Sequence, residues 1–323
     1  MERAARIAAT GGPEVIAWHD VELAPPGPGE VRLRHGAVGL NFIDTYHRGG
    51  LYPIQLPSGL GMEAAGTVEA VGAGVSGWRA GMRAGTFGGP LGAYATARNV
   101  PADQLVAIPD TLDDRTAAAL LLKGATAAML VEQCARVQPG QAVLVTAAAG
   151  GVGHLLVGWL KAVGAIVIGT AGTDAKAARA TAPGADHVLL SGEDVADRVR
   201  ALTGGKGVAA VLDGVGKATW GQALASTARR GLIVSYGNAS GPVEGVALGQ
   251  LARHGSLFVT RPTLFDYATT PAERQALADR VWTMLASGAI VPNIGQEFAL
   301  DQAADAHRAI EAGETQGSTV LLP

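Results

Sequence analysis

The sequence has few residues that could hold a metal or close a disulfide, and little charge with which to bind a polyanion. Its 323 residues include one cysteine, Cys134, which excludes an intramolecular disulfide and any multi-cysteine zinc or iron–sulfur site. Charged residues make up 16% of the chain, and 25 Lys and Arg against 28 Asp and Glu leave a net charge of −3. There is therefore no broad basic surface, and binding of nucleic acid is not expected.

Neither an export signal nor a membrane span is expected. Charged residues between Glu2 and Arg6 occupy the place where a signal peptide has its apolar region. The run 142–160 is long enough to cross a bilayer, but three glycines and His154 interrupt it, so a strand, a tight turn and a buried helix explain it better. Together with the single cysteine, which fits a reducing compartment, these features predict a cytoplasmic protein.

The chain changes character near residue 110. Before it, short β segments lie between glycines and prolines, at 31–40, 66–75, 93–100 and 105–109. After it, apolar strands alternate with helical patterns, and strands rich in Val, Ile and Leu are typical of a parallel sheet covered on both faces. These strands lie at 142–146, 166–170, 187–190, 208–213, 231–236 and 256–260. The alternation predicts an α/β domain with a doubly wound parallel sheet of six strands.

The alternation stops after residue 262. What remains is a helical pattern in PAERQALADRVWTMLASG, the segment EFAL, a final helix near 301–312 and the apolar end STVLLP. We expect this tail to rejoin the first part of the chain. The predicted division is a mainly β domain, 1–122 completed by 263–323, and an inserted dinucleotide-binding domain, 123–262, with a ligand cleft between them.

A glycine-rich loop, AAAGGVG, follows the first of the six strands and precedes a helix. Gly150 permits a tight turn, Gly151 and Val152 bring the backbone near a pyrophosphate at the helix N-terminus, and Gly153 permits close contact between helix and strand. Ala148 replaces the first glycine of the usual pattern. A helix-packing turn would also use these glycines, but the strand before and the helix after indicate a dinucleotide site.

The end of the second strand bears on the choice of cofactor. NAD sites carry an acidic residue about 20 residues after the glycines, but this strand ends in IGTAGT, with Gly172 and Thr173 at its tip. Lys176 follows in the first turn of the expected helix, where a cation suits a 2′-phosphate. Asp174 argues the other way, although an early acid also stabilises a helix N-terminus. The sequence favours NADPH over NADH.

Nine segments, in order along nearly the whole chain, resemble a known family. They are NFIDTYHRGGLYP (41–53), LPSGLGMEAAG (56–66), LGAYA (91–95), LLKGATA (121–127), AAAGGVG (147–153), GTAGTDAK (169–176), RRGLIVSYGNASG (229–241), TRPTL (260–264) and TQGSTVLLP (315–323). Together they resemble the zinc-independent, zeta-crystallin-like quinone oxidoreductases of bacteria, in the medium-chain dehydrogenase/reductase superfamily. The resemblance implies a GroES-like catalytic domain with an inserted Rossmann domain, NADPH as reductant, a quinone-type acceptor and a homodimer.

The resemblance also implies where the cofactor binds. The nicotinamide half would lie near Asn41, Thr126 and Asn238, the 2′-phosphate near Thr173 and Lys176, and the tail would close over the cofactor. The implied cofactor-binding residues are Asn41, Thr126, Gly150, Gly151, Val152, Gly153, Gly172, Thr173, Lys176, Ser191, Gly237, Asn238, Gln316 and Gly317. One departure lies at LLSGEDV, where Ser191 replaces the tyrosine often found beside the 2′-phosphate and one residue is missing. This weakens the NADPH preference without reversing it.

The zinc alcohol dehydrogenases of the same superfamily use the histidine of a Gly-His-Glu segment as a metal ligand. The corresponding segment here is Gly61-Met62-Glu63, so methionine stands at the ligand position. None of the seven histidines has another four residues later, and no cysteine lies near the early loop. We therefore expect no catalytic zinc, and we expect Glu63 to be a buried carboxylate with a structural partner.

Without a Lewis acid, the acceptor must take hydride readily, as quinones and conjugated enones do. The segment 41–52, interpreted as a loop, offers Tyr46 and Tyr52 beside Asn41 as catalytic candidates, because a phenol donates a hydrogen bond or a proton and stacks on a planar acceptor. Arg261, after the last strand, is a fourth candidate. Alternatively, the tyrosines pack this segment against the sheet and Arg261 forms a surface salt bridge.

The sequence thus predicts an NADPH-dependent oxidoreductase that reduces a small-molecule quinone or conjugated carbonyl by hydride transfer, with protonation by Tyr46 or solvent. Two alternatives stay open. One is an NADPH-dependent reductase of alkenals and enones, and the other is an NADPH-binding protein without catalysis, since this branch includes lens proteins. The presence of Asn41, Tyr46 and Tyr52 favours an enzyme.

Overall fold

The computed structural model describes residues 1–191 and 194–323, so Gly192 and Glu193 of the LLSGEDV segment lie outside the described residues. The chain divides into two compact units. Unit 1 comprises Met1–Ala125, Ala268–Trp282 and Pro292–Pro323, and unit 2 comprises Thr126–Tyr267 and Thr283–Val291. Each unit is therefore assembled from segments that are separate in the sequence.

The regular elements follow the chain in this order. The strands are β1 (Glu2–Ile7), β2 (Ala17–Val21), β3 (Glu30–Leu40), β4 (Ser58–Gly59), β5 (Glu63–Val71), β6 (Arg83–Phe87), β7 (Ala97–Pro101), β8 (Leu105–Ala107), β9 (Ala142–Val145), β10 (Ile166–Ala171), β11 (His187–Leu190), β12 (Val208–Asp213), β13 (Thr227–Ser235), β14 (Phe258–Thr260), β15 (Ile294–Ala299) and β16 (Ser318–Leu322). The helices are α1 (Phe42–Gly49), α2 (Asp114–Ala128), α3 (Gly151–Val163), α4 (Asp174–Thr181), α5 (Val195–Leu202), α6 (Trp220–Ser226), α7 (Gly249–Arg253), α8 (Pro271–Ala286) and α9 (Ala303–Glu311). A π-helix, Met129–Cys134, continues α2.

Within the described residues, unit 1 is built on two sheets. Their strand orders are β2-β1-β4 and β15-β16-β3-β5-β6-β8, with β7 also paired to β3. Alternate residues of β3, beginning with Val31 and Leu33, are buried in a core that includes Val68 of β5. On the other side of β3, β16 lies antiparallel to it with Val320 opposite Gly39. The C-terminal tail thus rejoins the first part of the chain by backbone pairing.

Unit 2 carries a parallel sheet in the order β11-β10-β9-β12-β13-β14, six strands within the described residues. Each strand predicted from the sequence is present, and α3 to α7 connect successive strands, so the predicted Rossmann architecture is confirmed. Leu144, Ile168, Val211 and Ile233 come from four neighbouring strands and are fully buried together. Burial of both sheet faces explains why these strands are almost continuously apolar.

The segment 41–52 is not the loop interpreted from the sequence, because Phe42–Gly49 form helix α1. Asn41 is its N-cap residue, and its backbone N–H donates to the carboxylate of Asp44 at 2.9 Å. Gly50 ends the helix in the left-handed conformation, with φ of +85°. Eight residues are too few for a clear helical periodicity. The helix could still have been predicted from the Asn-x-x-Asp cap pattern at its start and the Gly-Gly pair at its end.

One helical run within the described residues is long and apolar enough to cross a membrane. It is Asp114–Cys134, which combines α2 with the π-helix, and 78% of its most apolar window is buried inside the protein. Such burial is typical of a core helix. The run 142–160, which drew attention in the sequence, instead forms β9 and most of α3, as expected.

Candidate functional site

The glycine-rich loop of unit 2 forms the turn from β9 into α3. Gly150 is the N-cap residue of α3, and the helix begins at Gly151. A side chain at Gly153 would overlap the backbone carbonyl of Ala147, so only glycine lets the helix start this close to the strand. The first amides of a helix have no carbonyl partner within it, and the helix dipole favours an anion there. The loop therefore fits a pyrophosphate.

The residues expected at the 2′-phosphate lie together at the carboxyl ends of β10 and β11. Thr173 caps α4, and its Oγ1 accepts a hydrogen bond from the backbone N–H of Lys176 at 3.3 Å. Ser191 Oγ donates to the carbonyl of Ala171 at 3.1 Å, which fixes it beside the same strand end. A side chain at Gly172 would meet no atom within 4 Å, so there is open space at this position. This arrangement fits a phosphate next to the Lys176 cation.

Arg261 holds the loop that follows β13. Its Nη1 donates to the carbonyls of Ser235 at 2.7 Å and Gly237 at 3.1 Å. In the amide orientation that satisfies both neighbours, Asn238 Oδ1 accepts from Arg261 Nη2 at 3.0 Å. A side chain at Gly237 would overlap the carbonyl of Gly214. The guanidinium therefore fixes Gly237 and Asn238, a role that the sequence did not suggest for Arg261.

In unit 1, the tyrosine candidates Tyr46 and Tyr52 lie together with Phe42. The ring centroids of Tyr46 and Tyr52 are 5.1 Å apart in an edge arrangement, and those of Phe42 and Tyr46 are 5.5 Å apart. The backbone N–H of Tyr52 donates to the carbonyl of Tyr46 at 3.1 Å, which returns the chain to α1. Both tyrosines are half-buried. Helix α1 and the segment after it therefore form a small aromatic cluster with two phenol groups.

Glu63 is a fully buried carboxylate with three partners, as the sequence favoured. Its Oε2 accepts from Asn41 Nδ2 at 2.8 Å and from Lys123 Nζ at 3.2 Å, and its Oε1 accepts from the Leu122 backbone N–H at 2.6 Å. A side chain at Gly39 would overlap this carboxylate, so the glycine of β3 makes room for it. Asn41 thus lies against a buried ion pair.

These residues do not fit a zinc centre. Met62, at the position of the metal-ligand histidine, is buried in the core at 5% exposure. The Lys123 ammonium already neutralises Glu63. Across residues 1–191 and 194–323, no group of three His, Cys, Asp or Glu side chains is placed to hold a metal ion. A divalent cation beside the Lys123 ammonium would also be repelled.

A second buried network joins α1 to the C-terminal helix, and the sequence gave no sign of it. Tyr94 Oη contacts Asp44 Oδ2 at 3.0 Å and His307 Nε2 at 2.9 Å, and Arg48 Nη1 contacts His307 Nδ1 at 3.0 Å. Arg48 also forms an ion pair with Glu311. Burial raises the pKa of Asp44 to about 7 and lowers the pKa of His307 to about 3.

The remaining candidates lie in separate places. Gln316 and Gly317 precede β16 in unit 1, where the Gln316 backbone N–H donates to Gln296 Oε1 at 3.0 Å. Gly317 has φ of +58°, and a side chain there would overlap the Asn293 carbonyl. Thr126 is half-buried in α2, at the start of unit 2. The structure therefore groups the candidates into one set within each unit.

Comparison with known proteins agrees with this fold. Residues 27–110 match the alcohol dehydrogenase GroES-like domain, and residues 151–278 match the zinc-binding dehydrogenase family. A quinone oxidoreductase of Pseudomonas aeruginosa is 50% identical over 325 residues, covering 100% of both chains. A 2-haloacrylate reductase of Burkholderia sp is 42% identical over 331 residues, covering 100% of this chain and 99% of the other.

Solved structures give the same result. The crystal structure of Escherichia coli quinone oxidoreductase complexed with NADPH has a TM-score of 0.97 at 43% identity and covers 99% of this chain and 100% of that one. The GroES-like unit and the six-stranded Rossmann unit define an oxidoreductase of the medium-chain dehydrogenase/reductase superfamily. Within it, the chain belongs to the quinone oxidoreductase family.

Proposed function

We propose that the protein is an NADPH-dependent quinone reductase that works without a metal ion. The observation that carries this proposal is the geometry of one end of unit 2, where the Gly150–Gly153 turn and the Thr173–Lys176 cap lie at the ends of neighbouring strands. Its relatives include named quinone oxidoreductases at 44–50% identity, and a solved relative carries NADPH. The buried Lys123–Glu63 pair, in place of metal ligands, supports the metal-free mechanism.

NADPH, when bound, supplies the hydride. The loop Gly150–Gly153 would hold the pyrophosphate through backbone amides, while Thr173 and Lys176 would hold the 2′-phosphate by hydrogen bonding and charge. Arg261 would act on the cofactor indirectly, because it fixes Asn238 in the loop after β13. Gly153 and Gly237 would keep these loops close to their strands, since larger residues overlap neighbouring carbonyls.

The acceptor would be served by α1. The rings of Phe42, Tyr46 and Tyr52 offer an aromatic surface to a planar quinone. Tyr46 would donate a hydrogen bond, and then a proton, to the acceptor oxygen that gains negative charge. Asn41, at the N-cap of the same helix, would contact the nicotinamide ribose. These roles extend the family resemblance to residues that the fold groups on and beside one short helix.

Initial rates of NADPH and NADH oxidation with a naphthoquinone test the proposal. We expect rapid oxidation of NADPH, slower oxidation of NADH, and no loss of activity after treatment with a chelator. Tyr46→Phe should slow quinone reduction, most strongly at high pH, where solvent is a poorer proton donor. Tight NADPH binding without oxidation by any quinone would contradict the proposal, and full activity of Tyr46→Phe across pH would remove the proton-donor role alone.

A second candidate function is reduction of conjugated carbonyls. It is favoured by the 2-haloacrylate reductase of Burkholderia sp, which aligns with this chain from end to end. The same site would serve, because an alkene conjugated to a carbonyl also accepts hydride without a Lewis acid. A ratio of kcat/KM for an alkenal over kcat/KM for a naphthoquinone above one would establish this function as the main one.

We also propose, from the family resemblance, that the protein is a cytoplasmic homodimer that acts on small molecules and does not insert into membranes. The last strand of the unit 2 sheet supports a dimer. Phe258 of β14 is 62% exposed although it lies in a strand, and Val259 beside it is 38% exposed. An open strand edge that carries exposed apolar side chains is suited to pairing with another chain.

A further inference from the structure

Asn41 is held by a buried ion pair to which the proposed reaction assigns no role. Lys123 Nζ lies 3.2 Å from Glu63 Oε2, and the two residues are 5% and 0% exposed. The same Oε2 accepts from Asn41 Nδ2 at 2.8 Å, while Oε1 accepts from the backbone N–H of Leu122 at 2.6 Å. The carbonyl of Gly39 accepts a second bond from Asn41 Nδ2, at 3.3 Å.

These contacts fix the orientation of the Asn41 amide. Both protons of Nδ2 face acceptors, so exchanging Nδ2 with Oδ1 would turn the carbonyl oxygen of Asn41 toward the Glu63 carboxylate. At the helix cap Oδ1 faces the backbone N–H of Asp44, and an amide oxygen has a second lone pair for another donor. This oxygen is therefore the atom that Asn41 can offer to a ligand. Because an amide oxygen only accepts hydrogen bonds, the ligand atom must be a donor.

Only a carboxylate at position 63 gives this arrangement. Glu63 accepts at both oxygens, whereas a glutamine would place an NH₂ group at one of the two positions. That group would face either the Leu122 N–H or the donors of Asn41 and Lys123. When the group faces Asn41, the Asn41 amide would rotate so that its oxygen accepts from the glutamine NH₂. The NH₂ group of Asn41 would then face outward. Lys123 in turn compensates the charge that Glu63 carries in the core.

We propose that Glu63 and Lys123 are positioning residues that hold Asn41 as an acceptor for a hydroxyl group of the bound reactants. The hydroxyl belongs either to the nicotinamide ribose or to the reduced acceptor. This inference rests on the proposed function. It explains why an ion pair is buried beside Asn41. It also assigns Asn41 Nδ2 to Glu63 and Asn41 Oδ1 to the ligand.

A double-mutant cycle tests the inference. Asn41→Ala, Glu63→Gln and the double variant are compared with Glu69→Gln, which alters an exposed carboxylate of the same unit. We measure the Kd of NADPH by fluorescence and the inhibition constant of the hydroquinone product, with kcat alongside. Asn41→Ala and Glu63→Gln should each raise one of these two constants about tenfold, whereas Glu69→Gln should raise neither.

The double variant is decisive. If Glu63 acts through Asn41, Glu63→Gln has no further effect in the Asn41→Ala background. An effect on the Kd of NADPH identifies the ribose hydroxyl, and an effect confined to the hydroquinone identifies the acceptor. An effect of Glu63→Gln that persists without the Asn41 amide overturns the inference. Wild-type protein that oxidises no NADPH with any acceptor would instead contradict the proposed function.

Glu63→Gln leaves Lys123 buried without a counter-charge, so this variant could fail to fold. A second variant, without either charge, covers that risk. Glu63→Gln/Lys123→Met removes both charges, and we expect it to fold. Because its residue 63 still carries an NH₂ group, we expect ligand binding as weak as that of Asn41→Ala. Wild-type binding by this folded variant would also overturn the inference.

Discussion

The hydroxyl of Tyr94 lies 2.9 Å from Nε2 of His307, 213 positions further along the chain. Arg48 donates to Nδ1 of the same ring, and because a guanidinium only donates, the proton of the neutral imidazole is on Nε2. His307 therefore donates to the Tyr94 oxygen, and Tyr94 donates to Oδ2 of Asp44 at 3.0 Å. This chain of hydrogen bonds ties the C-terminal helix α9 to α1, on which Tyr46 lies.

Replacing Tyr94 with phenylalanine should destabilise unit 1. Tyr94→Phe keeps the ring but leaves the His307 Nε2–H buried without a partner and removes one of the two donors to Asp44 Oδ2, at a cost of about 1–3 kcal/mol. Urea unfolding followed by circular dichroism measures the loss. Tyr267→Phe, at a half-buried tyrosine of unit 2, serves as the control. Equal stabilities of Tyr94→Phe and wild type would show that this network contributes nothing.

The network also shows what the sequence could and could not predict. The six strands of unit 2 and the glycine turn were predictable because each depends on a short run of neighbouring residues. Asp44, Tyr94 and His307 meet only because the chain folds back on itself, and no local pattern encodes that meeting. Helix α1 is an intermediate case, since its cap signals were present at Asn41 and Gly50 but its periodicity was too short to detect.

Acid should destabilise the protein through His35. Burial, reinforced by the positive charge of Arg98, lowers the pKa of His35 from 6.5 to about 3. Between these values the unfolded chain binds the proton and the folded chain does not, so this contribution is complete above pH 6.5 and is lost as the pH falls toward 3. His35→Asn removes it while keeping a donor to the Ala95 carbonyl, which His35 Nδ1 contacts at 2.7 Å.

The comparison requires unfolding free energies of wild type and His35→Asn at several pH values between roughly 7 and 4. We expect the wild-type curve to fall more steeply with acid. Parallel curves would mean that His35 has the same pKa in both states, contrary to its burial.

An added methyl group at Gly153 should block the cofactor site. Gly153→Ala places a side chain against the Ala147 carbonyl, so the N-terminus of α3 must move away from the end of β9. NADPH affinity should fall at least tenfold, and stability should fall as well. Gly221→Ala is the matched control, because it lies in α6 with no atom within 4 Å of the new methyl group and should be neutral or slightly stabilising.

A charge on the open strand edge should separate the predicted dimer. Phe258→Lys puts a cation at the exposed position of β14, and lysine on an edge strand opposes pairing between sheets. Light scattering after size exclusion should then report a monomer where the wild type is a dimer. Lys206→Glu, at an exposed position after α5, changes charge in the same unit and should leave the mass unchanged. A Phe258→Lys dimer would place the interface elsewhere.

Lys176 should decide between the two nicotinamide cofactors. It is the third residue of α4, and its backbone N–H bonds to Thr173 Oγ1, which places the side chain at the helix end that faces the predicted 2′-phosphate. If Lys176 binds the 2′-phosphate as proposed, Lys176→Ala removes one charge-assisted contact, so the Kd of NADPH should rise about tenfold or more while that of NADH stays the same. Lys206→Ala is the control for loss of a surface charge.

An equal rise for both cofactors would show that Lys176 supports the fold of the turn and does not recognise the phosphate. Because Ser191 stands in place of an aromatic neighbour, we expect the lysine to provide most of the discrimination, so Lys176→Ala should leave NADPH and NADH nearly equivalent.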